Sequence, residues 1–480
     1  MNDFENDKPV HHCGVVGIHS LEAINMPERL FYPLYALQHR GQEAAGLTYR
    51  KADSMVTYKD LGLVSQVLGH YLHEDHPSRL GIGHVRYSTT GGSLIQNVQP
   101  FHILCNKGEV SVAHNGNISN IDEIKSRLTA AGAIFQSTSD TEVLLHLLSH
   151  SRHTDFYEAL VETLGQLEGA FSMVFLHGDD LIAVRDPKGF RPLYLGQKDG
   201  LTVFVSETCA LDLLGIDDYR EVAPGEMVVV NDSGIKSRTF GTSPTKAHCI
   251  FEFIYFARPD SEIFGRSVYQ MRQKIGQRLA ALDTIQADVV IPVPDSGNAA
   301  ALGYARAKGI PFEMGLTRNH FAGRSFTLPS QAARDFAVRM KLSPVNFLVE
   351  GKSVVLVDDS LVRGTTSKRI VKLVREAGAR EVHLRLSAPE IKYPCFYGID
   401  IPTREELISN RLDPEALARE LGADSVLFLP LEDLKACAEP SGDDYCYACF
   451  SGKYPERLTA LCQGQTVLKT PGNFPSSPQP

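Results

Sequence analysis

The stretch SVVLVDDSLVRGTTSKRIVKLVREAGAREVHLRLSA, residues 353–388, constrains the fold more than any other part of the chain. Its opening Val- and Leu-rich run reads as a strand buried on both faces. A helical pattern begins near 365, and a second apolar run begins at 381. Strand, helix and strand at this spacing read as βαβ units of a parallel sheet. Upstream, ADVVIPVP (287–294) and the Ala-rich NAAALGYARAKG give the same rhythm. The first strand ends in adjacent acids, Asp358 and Asp359. A Gly-containing turn follows, and Thr365, Thr366 and Ser367 open the helix. Backbone N–H groups at a helix N-terminus, backed by hydroxyls, form an anion site. Paired acids beside it can hold ribose hydroxyls or Mg²⁺, which prefers oxygen ligands. The bland alternative, an exposed βα turn with two capping acids, does not explain the whole string D-D-S-x-V-R-G-T-T. A Walker A pattern is absent.

The first half, to about residue 235, has a different texture. Short β-type runs (GVVGI, AAGLTY, SVAHNG, FSMVFL, LIAVRD, LTVFVSE, GEMVVVND) alternate with helical patterns near 119–131, 139–150 and 156–168. Sheets packed on helices in an α+β architecture are expected there. At 480 residues two domains are the natural division, with the join near 235–265. The Pro/Ser-rich end, TPGNFPSSPQP, reads as disordered. A hydrophobic fraction of 43% and a charged fraction of 22% are those of a soluble globular protein. No apolar run reaches the roughly eighteen residues of a membrane span. The N-terminus MNDFENDK is acidic and lacks an apolar core, so neither a secretion signal nor a transit peptide is expected, and the cytoplasm is. A net charge of −9 argues against nucleic-acid binding but leaves room for a local phosphate pocket. Nine cysteines without an export signal do not read as a disulfide framework.

Near the start, KPVHHCGVVGIHS places Cys13 before an apolar run. One reading is a buried cysteine opening a strand. The other makes Cys13 the first residue of a processed chain. Four polar strings bear on the choice: LQHRGQEAAG (37–46), GHVRYSTTGG (83–92), AHNGN (113–117) and SDTEVLL (139–145). Each has a local explanation: Asn-Gly signals a hairpin, and Ser-Asp before an apolar run caps a helix. Together, in this order and after an early Cys-Gly, they resemble a class II glutamine amidotransferase domain of the N-terminal-nucleophile type. The resemblance implies an αββα sandwich. Cys13 would be the nucleophile and its α-amine, ordinarily of pKa about 7.7–8.0, the base. That requires cleavage between His12 and Cys13. Arg86 would hold the glutamine α-carboxylate and Asp140 its α-amine. Asn115 and the Gly116 N–H would form the oxyanion hole.

The D-D-S string resembles the phosphoribosylpyrophosphate (PRPP) loop of type I phosphoribosyltransferases, and IPVPDSG a second phosphate turn of that family. By that resemblance Asp358, Asp359 and Ser296 would contact Mg²⁺–PRPP, Gly364, Thr365, Thr366 and Ser367 would cradle the 5-phosphate, and Arg363 would also bind PRPP. The two halves, with SETCAL, PGEM and ARPDS between them, resemble the glutamine PRPP amidotransferase family from about residue 13 to 460. This implies a propeptide (1–12), a glutaminase domain (13–235), an α/β phosphoribosyltransferase domain with a C-terminal cluster-binding segment (236–465) and a tail (466–480). Ammonia from glutamine would pass to PRPP and yield 5-phosphoribosylamine, the first committed step of purine synthesis. Inhibition by purine nucleotides and a homotetramer are further expectations. Residues 317–340 would be the lid, with Phe321 where the family usually has tyrosine.

CYACF supplies Cys446 and Cys449, while Cys249 and Cys395 stand alone upstream. Four thiolates suit a [4Fe–4S] cluster or a structural Zn²⁺, and spacing does not choose. All four match cluster-ligand positions in the iron–sulfur branch of the family, which favours a structural cluster. Cys105, Cys209, Cys437 and Cys462 read as core or surface thiols. Two alternatives dispense with Cys13: a purine phosphoribosyltransferase with an unrelated N-terminal domain, and a PRPP-sensing regulator.

Overall fold

The computed structural model describes residues 13–87, 94–319, 342–401 and 403–456. The expected propeptide, the lid beyond residue 319, the tail and Cys462 lie outside the described residues.

The first half builds two antiparallel sheets. In the seven-stranded sheet the central order is Leu201–Val205, Gly14–Asn25, Pro77–Arg86, Ala44–Lys51. The six-stranded sheet pairs Gly108–Ile118 with Gly169–His177, which in turn pairs with Asp180–Arg185. Strand alternation decides the layers. From Gly169–His177, Val174 and Leu176 face the other sheet, meeting Val15, Leu80, Ile82 and Phe204. Phe171, Met173 and Phe175 face outward under the helices Ile121–Ala130, Thr141–His150 and Phe156–Leu164. The helix Met26–Ala36 covers the opposite face, over Val16, Ile18 and Leu47. It lies close because residues 81 and 83 are glycine: a Cβ there would stand 2.5 Å from Met26 and 2.6 Å from Leu34. The result is the expected helix–sheet–sheet–helix sandwich.

The second half carries the expected parallel sheet, Val289–Pro292, Ser353–Asp358, Glu381–Leu386 and Ser425–Phe428 in spatial order. Val354 and Leu356 face the helices Thr365–Glu376 and Pro414–Leu421. Val355 and Val357 face Val268–Leu282 and Asn298–Lys308. Among the described residues no helix is long and apolar enough to cross a membrane.

A buried ionic network joins the halves. Arg40 reaches Glu252 with two bonds of 3.0 and 2.9 Å and also bonds Glu207. Glu207 accepts further from His39 at 2.8 Å and from Ser261 at 2.8 Å. Burial alone would raise the Glu207 carboxyl, but His39 and Arg40 outweigh it and hold the group well below the usual carboxylate range. A carboxylate depressed in the folded state stabilises above its unfolded pKa, about 4.3, and the contribution is lost as pH falls toward the folded value. Glu207→Gln is therefore expected to cost about 1.5–3 kcal/mol at pH 7, because Arg40 and His39 lose a charged acceptor while Arg40 keeps Glu252. It should also flatten the loss of stability below about pH 4.3. Denaturant unfolding at pH 7 and in acid measures both; an unchanged acid limb would contradict the assignment.

Candidate active sites

Cys13 immediately precedes the strand Gly14–Asn25, whose Gly14 stands opposite Val85. Arg86, buried, ends the neighbouring strand and stands opposite Ala44. Cys13 and Arg86 therefore share one end of the sheet. The Cys13 Sγ donates to the Tyr87 carbonyl at 3.7 Å, and the Cys13 carbonyl accepts from Arg40 Nε at 3.3 Å. Burial pushes the Cys13 thiol up. The Tyr87 bond and the Arg86 charge oppose that, while the Asp140 and Glu43 carboxylates add to it. Arg86 and Asp140, distant in sequence, thus both act on Cys13 through space.

Asp140 occupies the N-cap position of Thr141–His150, yet its side chain makes no capping bond. It accepts instead from the Ile118 N–H at 3.0 Å and lies 3.7 Å from His114 Nδ1. Burial would raise this carboxyl, but His114 and the backbone donors bring it below its ordinary value.

The hairpin reading of Asn115–Gly116 is overturned. Both lie within the strand Gly108–Ile118, with Asn115 opposite Ser172 and Gly116 opposite Phe171. Gly116 has φ +150, and a Cβ there would stand 1.9 Å from the Ala170 carbonyl oxygen. Asn115 is fully buried, and among the described residues neither its Nδ2 nor its Oδ1 has a hydrogen-bond partner. A buried amide without a partner costs about 1–3 kcal/mol, which sets Asn115 apart within its strand.

Sequence reasoning passed over the supports. Gln99 accepts from the His114 N–H at 2.7 Å and donates to Thr141 Oγ1 at 3.1 Å, bracing the strand that bears Asn115. His84 bridges the two sheets, its Nε2 3.0 Å from the His114 carbonyl oxygen. Burial lowers its pKa to about 3, so the ring is neutral.

In the second half, Asp358 and Asp359 are buried at the end of Ser353–Asp358. Ser296, from the turn after Val289–Pro292, donates its hydroxyl to Asp359 Oδ2, and Ser360 donates to Oδ1 at 2.7 Å. The two phosphate-turn strings, far apart in sequence, therefore touch. Gly364, at φ +84, turns the chain into the helix beginning at Thr365; Thr366 and Ser367 are buried and Thr365 is exposed. Arg363 makes bonds of 2.9 and 2.6 Å to Glu406, a residue the sequence reading did not single out.

The four cysteines come from three segments that the fold draws together. His248–Cys249 pairs in parallel with Tyr445–Cys446, making Cys249 and Cys446 direct partners. The Cys449 carbonyl accepts from the Lys392 and Tyr393 N–H groups at 3.0 and 3.1 Å, tying CYACF to the Cys395 segment. Burial raises all four thiols, Cys249 to about 12. Beyond burial, their mutual proximity disfavours ionisation of Cys249, Cys446 and Cys449 further. All four are free thiols, and among the described residues no group of three or more His, Cys, Asp or Glu is set to hold a metal ion. Of the others, Cys209 and Cys437 are buried and Cys105 is half-buried.

Fold and sites together define a class: a glutamine amidotransferase sandwich continued by a phosphoribosyltransferase-like parallel sheet. The model of the glutamine amidotransferase domain family matches residues 84–213. A chloroplastic amidophosphoribosyltransferase of Vigna aconitifolia is 51% identical over 452 residues, 94% of this chain and 93% of its own length. The Bacillus subtilis amidophosphoribosyltransferase is 46% identical over 451 residues, 93% of this chain and 94% of its own. A solved structure of the B. subtilis glutamine PRPP amidotransferase, complexed with ADP and GMP, matches with a TM-score of 0.87 at 45% identity. It covers 93% of this chain and 98% of that one. The chain belongs to the amidophosphoribosyltransferase family.

Proposed function

We propose that this protein takes ammonia from glutamine at Cys13 and transfers it to PRPP, forming 5-phosphoribosylamine, glutamate and pyrophosphate at the first committed step of purine synthesis. The observation that carries the glutamine half is the buried, unpartnered carboxamide of Asn115 beside a glycine that the strand could not replace.

The Cys13 sulfur attacks the carboxamide carbon of glutamine, and the α-amine, free once residues 1–12 are removed, takes the thiol proton. Asn115 Nδ2 and the Gly116 N–H donate to the oxyanion that develops. The proton passes to the departing nitrogen, the C–N bond breaks, ammonia leaves and a γ-glutamyl thioester remains. Water cleaves the thioester and restores the thiol. Arg86 pairs with the substrate α-carboxylate and Asp140 with its α-ammonium. Such donors aid the transition state, so Asn115→Ala is expected to lower kcat with glutamine by about 10²–10³-fold. Synthesis from added ammonia should stay unchanged. Paired assays with the two nitrogen donors test this; equal kcat with glutamine in variant and parent would overturn it.

At the second site the ammonia lone pair displaces pyrophosphate from the anomeric carbon. Gly364, Thr365, Thr366 and Ser367 offer backbone N–H groups and hydroxyls to the 5-phosphate, with Arg363 alongside. Asp358, Asp359 and Ser296 offer only oxygen donors, which fits Mg²⁺. When bound, that ion neutralises charge on the pyrophosphate. Cys249, Cys395, Cys446 and Cys449 offer four thiols from separate segments. The thiolate donor type suits a structural [4Fe–4S] cluster, although among the described residues their sulfurs are not set as a metal-holding group. Such a cluster would staple the junction to the C-terminal segment. The division at 13–235 and 236–465, purine-nucleotide inhibition and a homotetramer belong to the same reading. The nucleotides carried by the B. subtilis structure support the inhibition.

A further inference from the structure

We propose that the segment Phe396–Gly398, in the second half of the chain, positions the oxyanion strand of the first. The inference rests on the assignment of Asn115 and Gly116 to the oxyanion hole. Asn117 Nδ2 donates to the Phe396 carbonyl at 2.9 Å. One peptide further, the Tyr397 carbonyl accepts from the fully buried Arg191 guanidinium, which also stands 3.6 Å from Glu252. The next residue, Gly398, has φ +99. A Cβ on it would stand 3.1 Å from Arg191 Nη2 and 3.2 and 3.3 Å from the carbonyl carbon and oxygen of Gly116. Phe396 and Gly398 thus meet Asn117 and Gly116, Tyr397 between them holds Arg191, and the Ala170 carbonyl also crowds Gly116. The Tyr397 ring, stacked on Phe190 at 4.3 Å between centroids, anchors the segment.

This arrangement matters because oxyanion donors act only over a narrow range, about 2.7–3.1 Å from the developing charge. A misplacement near 1 Å costs on the order of 10²-fold in rate. Residues 396–398 meet Asn117, Arg191 and the Gly116 backbone, so they act through the oxyanion strand as positioning residues. They follow Cys395 directly and begin three residues beyond Tyr393, where Lys392 and Tyr393 are tied to Cys449. The cysteine segments and the oxyanion strand are therefore parts of one packed unit.

The test is Gly398→Ala, with kcat and KM for glutamine and the ammonia-dependent rate measured on the full chain. The added methyl must push Gly116 or Arg191 aside. The expected result is a fall in kcat for glutamine of about 10-fold or more, with KM and the ammonia rate within about twofold. Asn117→Ala, which removes one clasp without adding bulk, is expected to give a smaller loss in the same direction. It decides the matter if Gly398→Ala does not accumulate folded. Unchanged glutamine kcat in the folded variants overturns the proposal, as do equal falls with glutamine and ammonia. Asn115→Ala, run in parallel, separates the two readings. Full glutamine activity there would remove the oxyanion assignment itself. A large loss there, with none in Gly398→Ala and Asn117→Ala, would remove only the positioning role.

Discussion

Replacing Cys13 with alanine is expected to lower glutamine-dependent synthesis by a factor on the order of 10⁴ or more. Synthesis from added ammonia should stay within about twofold of the parent. The reason lies in the division of labour. Cys13, Arg86, Asp140 and Asn115 belong to the sandwich, whereas PRPP is assigned to the ends of the parallel strands. Ammonia supplied from solution bypasses the thiol. Loss of the sulfur leaves the fold intact, because Cys13 precedes its strand and the Arg40 bond goes to its backbone carbonyl. Equal loss of both activities in a folded variant would mean that Cys13 serves something other than glutamine cleavage.

The double variant Asp358→Asn/Asp359→Asn is expected to lose synthesis from both nitrogen donors, by at least about 10³-fold. Asparagine keeps the size of each side chain and an oxygen that can accept from Ser296 or Ser360. The change is therefore chiefly one of charge beside the expected Mg²⁺ and pyrophosphate. Cys13 should still react with an electrophilic diazoketone analogue of glutamine at close to the parent rate. Persistent ammonia-dependent synthesis in this variant would move the PRPP site away from Asp358 and Asp359.

How much of this was legible in the sequence follows from the distance between interacting residues. The strand, acid pair, turn and helix start of 353–367 are contiguous, so local pattern suffices. Ser296 and Asp359 meet only because their strands pair in parallel, which the βαβ rhythm anticipates. Asn115–Gly116 breaks the local rule: a hairpin dipeptide sits inside a strand, with its glycine at positive φ and its amide unpaired. Such conflicts between local preference and fold mark functional sites. The helix Met26–Ala36 carries Pro33 in its interior, and an internal proline is a local signal against a helix. Arg40, Glu207 and Glu252 carry no local signal at all; their pairing spans 167 and 212 residues. The Gln99 brace and the Phe396–Gly398 clasp are hidden in the same way.

The central claim is a terminal Cys13 nucleophile, and one measurement tests it most directly. Active protein is treated with the diazoketone analogue, and its intact mass and N-terminal peptide are then read by mass spectrometry. A chain that begins at Cys13 and carries the label on that residue is the predicted result. A fully active chain that retains residues 1–12, or a label on any other residue, would contradict it.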